Sequence, residues 1–256
     1  FTTKEYADNF NSFVDKHLPY IDSSRSFGRI ADVLVAPPGV DLEHWQAQSK
    51  KISCNQVLGE LANSRYVLSI DKADCTMGVM PRLKAIDLFF SANPELKEQI
   101  TFVQICGRSN PGIKANDSYW TECQSEIAKL TEKYATSDWK PLISLPHSIS
   151  IDQLTQLYRH AAVMLVTSVR DGLNLTAKEF IACQSTDTPG ILALSTAAGA
   201  TEEFGRHAIS FAPDNAEAIA EATIRCLHMT ASQKNRRNQR LQLQLQKNPP
   251  QLWCDT

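Results

Sequence analysis

Thirteen consecutive residues carry most of the chemical information in this sequence: Thr167-Ser168-Val169-Arg170-Asp171-Gly172-Leu173-Asn174-Leu175-Thr176-Ala177-Lys178-Glu179. They follow a short apolar run and open a helical pattern. Gly172 permits an unusual backbone turn, and the N–H groups of Leu173, Asn174, Leu175 and Thr176 would point at whatever lies above the preceding strand. A helix N-terminus there favours an anion such as a diphosphate. Asp171, beside those amides, is suited to sugar hydroxyls. Glu179, four residues after Leu175 on the same helical face, is suited to ribose hydroxyls. An ordinary strand–turn–helix, with Asp171 as a cap and Glu179 at the surface, accounts for the same residues.

A second segment, Ser69-Ile70-Asp71-Lys72-Ala73-Asp74-Cys75-Thr76-Met77-Gly78, again runs from a strand end into a helix. Lys72 could pair with a phosphate, and Gly78 lets the backbone approach a ligand closely; an exposed lysine and a turn glycine is the plain alternative. Arg108 and His147 stand in other strand-end loops and are weaker candidates. No GxSxG, HExxH or P-loop pattern occurs, and no Cys/His cluster has metal-ligand spacing.

The elements that must position these residues alternate regularly. Short apolar runs at Tyr66–Ile70, Ile100–Cys106, Pro141–Leu145, Val163–Thr167, Ile191–Ser195 and Ala208–Phe211 read as strands. Helical spacing fills the intervals at Pro81–Ala92, Tyr119–Tyr134, Ile151–Ala161 with Ser150 as N-cap, Leu175–Gln184 and Ala216–Met229. Strands buried on both faces and alternating with helices predict an α/β fold with a doubly wound, Rossmann-like parallel sheet, whose ligands sit outside the C-terminal strand ends. The tail Ser232–Gln246 is polar and helix-prone, and its Lys234, Arg236, Arg237 and Arg240 read as a solvated face.

Composition narrows the classes. Lys and Arg total 26 against 28 Asp and Glu, without the basic excess that nucleic-acid binding requires. No apolar run approaches the roughly 20 residues of a bilayer span. The seven cysteines are scattered without a CxxC pair, so a disulfide framework or zinc knuckle is not expected, and a reducing cytoplasm is. The chain opens at Phe1 inside a helical pattern (Tyr6, Phe10, Phe13, Val14), which suggests a piece of a longer protein.

The run Arg170-Asp171-Gly172-Leu173-Asn174-Leu175-Thr176-Ala177-Lys178-Glu179-Phe180-Ile181-Ala182-Cys183-Gln184 resembles the RDGxNLxAKE(Y/F)xAxQ signature of trehalose-6-phosphate synthases and their glucosylglycerol-phosphate synthase relatives. The likeness extends along the chain, through Phe1–Phe10, Pro38-Gly39-Val40-Asp41, Met80–Ala85, Phe89–Glu95, Phe102–Ile105, Asp138–Leu142, Leu157–Val163, Ala198-Gly199-Ala200 and Trp253-Cys254-Asp255. It implies a retaining glycosyltransferase of the two-domain GT-B type. Residues 1–49 would then be the end of the N-terminal domain and linker, 50–231 the C-terminal Rossmann-like nucleotide-sugar domain, and 232–256 a helical tail. Such an enzyme would transfer glucose from UDP- or ADP-glucose to a phosphorylated acceptor, glucose 6-phosphate or glycerol 3-phosphate. The acceptor pocket and a catalytic-site histidine lie in the family's preceding part, so this piece alone is expected to be inactive.

Carried over by resemblance, Asp171 would contact the donor glucose. The amides of Leu173, Asn174, Leu175 and Thr176, with Gly172 and Gly78, would line the sugar and diphosphate, and Glu179 would hold the ribose. No metal is expected, because helix N-termini and basic side chains take its place at the leaving diphosphate. That diphosphate assists acceptor deprotonation in the family, so no protein nucleophile is needed. Leu173, where trehalose-6-phosphate synthases usually carry methionine, tilts toward the glucosylglycerol-phosphate relatives. A homo-oligomer or a partner subunit is left open.

The first loop departs from the pattern. The family's "DRxDYxKG" holds an arginine and a lysine on the diphosphate; here Lys72 replaces the arginine and Met77 the lysine. If the missing cation is worth about 3 kcal/mol in the transition state, the rate falls on the order of 100-fold. Arg108 stands two places before the family's phosphate-binding arginine, whose slot holds Asn110, and His147 stands where many relatives carry arginine. A catalytically weak or dead member, acting as a nucleotide-sugar sensor or scaffold, is therefore the alternative.

Overall fold

The computed structural model describes residues 1–17, 33–51, 58–146 and 148–255; His147 and the first two residues of the apolar run 31–36 lie outside them, and 33–36 form no strand. The strands among the described residues are β1 (Tyr66–Ala73), β2 (Thr101–Arg108), β3 (Leu142–Leu145), β4 (Val163–Val166), β5 (Ile191–Ser195) and β6 (Ile209–Phe211). They form one sheet in the order β3-β2-β1-β4-β5-β6, parallel throughout. This is the expected doubly wound sheet, and its strand order reverses between β1 and β4.

The α-helices among the described residues are α1 (Lys4–His17), α2 (Leu42–Lys51), α3 (Val79–Ala92), α4 (Lys114–Tyr134), α5 (Ile151–His160), α6 (Leu175–Cys183), α7 (Ala200–Phe204), α8 (Ala216–His228), α9 (Ala231–Gln246) and α10 (Pro250–Cys254). Successive strand residues face opposite ways, and the two cores show it. Val67, Val163, Leu165, Ile191 and Ala193 pack under α3, α4 and α8. Tyr66, Leu68, Met164, Val166, Leu192 and Leu194 pack under α5, α6 and α9. Local chemistry sets the ends: Ser150 and Gln153 form a capping box at α5, as do Thr230 and Gln233 at α9.

The tail departs from the sequence expectation. Lys234 is buried, its Nζ donating to the Ala162 carbonyl at 3.3 Å, and Arg237 donates to the His207 carbonyl at 2.9 Å. Only Arg236 and Arg240 of the four are exposed. Two apolar positions of α9, Leu241 and Leu245, draw it onto the sheet domain, so one side of the basic helix faces inward. Beyond it, Asn248 donates to the Pro37 carbonyl at 2.8 Å and to Glu203 at 3.2 Å. A Cβ on Gly39 would meet the Asn248 carbonyl at 1.9 Å, so glycine is required for that approach.

Candidate active site

The reversal of strand order opens a crevice above β1 and β4, and both loops singled out in the sequence stand there. They are joined. The Thr76 carbonyl accepts from the amides of Val169 (2.7 Å) and Arg170 (3.0 Å), and Thr167 Oγ1 donates to the Met77 carbonyl at 3.2 Å. Gly78 has φ 69°, and a Cβ there would meet the Thr167 carbonyl at 1.9 Å. Its glycine character serves the contact between the loops.

Asp171 leaves little of its orientation to chance. Its Oδ1 accepts from the Leu173 amide (3.1 Å), and its Oδ2 from Asn174 Nδ2 (2.8 Å) and Ser168 Oγ (3.3 Å). Three donors on a carboxylate with about four acceptor sites leave room for a ligand hydroxyl. Its carbonyl accepts from the Gly199 amide at 2.7 Å, tying the loop after β4 to that after β5.

Asn174, not Gly172, adopts the left-handed backbone, with φ 63°. Asparagine tolerates that conformation, and here its side chain caps α6 by accepting from the Ala177 amide at 3.0 Å. Gly172 is glycine for a different reason: a Cβ would lie 2.8 Å from Tyr6 Cε2 of α1. Of the four amides assigned to the donor, that of Leu173 is taken by Asp171. Those of Asn174, Leu175 and Thr176 make no hydrogen bond among the described residues and stand at the start of α6.

Glu179 is half-buried on α6 and accepts at Oε2 from Tyr158 Oη of α5 at 2.7 Å. Burial pushes its pKa up, against the lowering effect of that hydrogen bond. Lys72 is exposed near the end of β1, and its Nζ has neither ion pair nor hydrogen bond among the described residues. Hydrogen bonds from the Thr76 amide and hydroxyl hold Asp74 below the usual carboxylate range. Met77 turns inward against the core, with Ser168 Oγ 3.9 Å from its sulfur, and supplies no charge to the crevice.

Arg108 stands beside Ala73 at the C-terminal ends of β1 and β2. Its guanidinium pairs with Asp117 of α4 at 2.7 Å, on the flank beside β2. His147 lies outside the described residues.

Three residues that sequence reasoning did not single out also shape the site. Arg82, 1% exposed, forks onto Asp71 (2.5 and 3.1 Å) and donates to Thr167 Oγ1 at 3.0 Å, clamping the two strand ends that carry the loops. An arginine in the apolar stripe Val79, Leu83, Ile86, Phe90 was the available signal. Tyr158 orients Glu179, and Arg170 lines a cleft of about 390 Å³ with Asp171, Gly199, Glu202, Thr3 and Tyr6. The Glu202 carboxylate holds α1 over this cleft by accepting from the Lys4 amide at 3.1–3.2 Å.

The sequence pattern of Glycosyltransferase family 20 matches residues 1–256. The chain belongs to glycosyltransferase family 20. Within this family, it is 30% identical over 260 residues to the bifunctional trehalose-6-phosphate synthase/phosphatase of Thermoproteus tenax, covering 99% of this chain and 35% of that protein. It is 27% identical over 237 residues to the trehalose-6-phosphate synthase of Sodalis glossinidius, covering 92% and 50%. Among solved structures, the E. coli trehalose-6-phosphate structure bound with UDP-2-fluoro glucose has a TM-score of 0.88 at 26% identity, covering 99% of this chain and 58% of that one. The UDP-forming alpha,alpha-trehalose-phosphate synthase of Burkholderia xenovorans, in complex with glucose-6-phosphate, gives 0.84 at 26% identity, covering 90% and 52%. The family 20 chain thus spans half or less of the length of the curated relatives it matches. Its sheet is the Rossmann-like sheet of the GT-B structures it resembles. No helix among the described residues is long and apolar enough to cross a membrane.

Proposed function

We propose that this chain forms the donor half of a retaining glucosyltransferase, binding a nucleoside diphosphate glucose in the crevice above β1 and β4. The observation that carries the reading is the Asp171–Glu179 segment: a carboxylate fixed by three donors, unpaired amides at the start of α6 and a second carboxylate one helical turn beyond. Asp171 holds the glucose hydroxyls. The amides of Asn174, Leu175 and Thr176 take the diphosphate, with Lys72 as the cation at the β1 loop, and Glu179 accepts from the ribose. These groups act without a metal ion, as fixed dipoles and charges that strengthen their hold as negative charge builds on the leaving diphosphate.

UDP-glucose is the favoured donor and glucose 6-phosphate the favoured acceptor, because structures with a UDP sugar and with glucose-6-phosphate are among those this chain resembles. Leu173 supports glycerol 3-phosphate as the competing acceptor. The reducing cytoplasm expected from the scattered, unpaired cysteine pattern is the compartment assigned to the reaction, and the acceptor side would come from the part that precedes this segment in the family.

Calorimetric titration with UDP, ADP, GDP and their glucose conjugates tests the donor site. Saturable binding of one nucleotide, weakened at least tenfold by Asp171→Ala for the glucose conjugate but little for the free diphosphate, is the expected result. Equal loss for both would overturn the glucose assignment. Met77 supports a second reading, a nucleotide-sugar sensor or scaffold, since the inward turn of its side chain leaves the β1 loop with one cation. That reading gains if the nucleotide binds tightly while the full-length protein turns over no sugar.

A further inference from the structure

At the end of the sheet opposite the donor loops, where β1, β4 and β5 begin, a cavity of about 240 Å³ is lined by Arg65, His160, Ala162, Thr188, Met229 and Lys234, among others. No carboxylate lines it; Asp187, beside Thr188, is exposed and outside the lining. Lys234 is 6% exposed, its Nζ has a single acceptor, and no carboxylate pairs with it among the described residues. Cys226 supplies no counter-charge, since burial pushes its thiol up to about 12. Burial and then Arg65 pull the Lys234 pKa down; burial and then Arg159 do the same to His160.

Part of this basicity has a structural account. Arg65 donates to the Leu227 carbonyl near the C-terminus of α8, and His160 stands in the last turn of α5, where cations suit the helix dipole. That leaves the remaining donors of Arg65 and Lys234 unused, and it leaves a buried ammonium without a counter-ion, which is costly. We propose that this cavity binds a small phosphate-type dianion, held by Lys234 Nζ and the free side of the Arg65 guanidinium, with His160 and Thr188 at its edge. The pocket opens to solvent and has room for inorganic phosphate or a small phosphate monoester. The proposal does not depend on the donor site.

The test follows the Met229 methyl and His160 ring resonances by NMR as sodium phosphate, glycerol 3-phosphate or sodium chloride is added at matched ionic strength. Phosphate and its ester should produce a saturable shift with a midpoint of about 1 mM and raise the His160 pKa by about one unit, while chloride does neither. A tighter midpoint for the ester assigns the site to a phosphorylated metabolite, and equal midpoints assign it to inorganic phosphate. Lys234→Met and Arg65→Gln should each weaken the response at least tenfold, and Lys72→Ala should leave it intact. If Lys234→Met unfolds the chain, Arg65→Gln alone decides, because that side chain is exposed. An unsaturable shift, an equal response to chloride or an unchanged response in Arg65→Gln overturns the proposal.

Discussion

Gly172 shows how a single residue can be glycine for a reason unlike the one its neighbours suggest. Its backbone is not left-handed; the ring of Tyr6 occupies the space a side chain would need. Gly172→Ala is therefore expected to cost about 1–3 kcal/mol by overpacking, measured by chemical denaturation. Tyr6→Ala in the same chain should recover most of the loss. If the double variant is no more stable than Gly172→Ala alone, the contact is not what selects glycine. The left-handed position falls instead on Asn174, which also caps α6, so one asparagine performs the unusual turn expected of Gly172 and the capping that the plain reading gave to Asp171.

At the scale of elements, α5 and α6 meet in the Tyr158–Glu179 hydrogen bond. Burial raises the Glu179 pKa and the tyrosine hydroxyl lowers it, so Tyr158→Phe moves it further up. Ionised Glu179 accepts ribose hydroxyls; protonated Glu179 has lost part of that capacity. Nucleotide affinity should therefore fall as pH drops through this pKa, and in Tyr158→Phe the fall should begin at higher pH. Calorimetry from about pH 8 to about pH 5 reads the shift; superimposable profiles would show that Tyr158 does not act on the site. Most elements were legible because buried parallel strands and capped helices leave strong local patterns. Ser150 announced α5, and Ile191–Ser195 appears with the bounds expected. Helix α2 was not legible: Leu42–Lys51 is mostly polar, and it folds where Trp45 and Leu42 can lean on the core under α6. The loop residues of the site were legible as types, whereas Arg82 and Tyr158 belong to it through contacts 11 to 85 residues away in sequence. Local spacing carries no such information.

At the scale of the whole molecule, one buried ammonium joins three segments distant in sequence. Lys178 is 0% exposed; it pairs with Glu203 of α7 at 2.5 Å and donates to the Pro38 carbonyl at 2.9 Å. Helix α6, the segment before α2 and α7 therefore share one charge. Lys178→Ala should destabilise the fold by about 2–4 kcal/mol, because the half-buried Glu203 is left without its cation. Lys178→Met with Glu203→Gln should recover more than half of that in denaturant titration. A loss under about 1 kcal/mol for Lys178→Ala would show that water reaches the pair.

The hydrogen bond from Asn248 to Pro37 spans 211 residues, and it lies beside the carbonyl that completes Lys178. During synthesis the whole sheet emerges before Asn248 does, so α6 is made before the stretch between α9 and α10 that fixes the segment serving its lysine. Folding rate falls as contacts become distant in sequence. The closing of this strap should thus be the slowest event of folding, and a nascent chain paused before residue 248 would carry a folded sheet whose donor-site helix is not yet fastened.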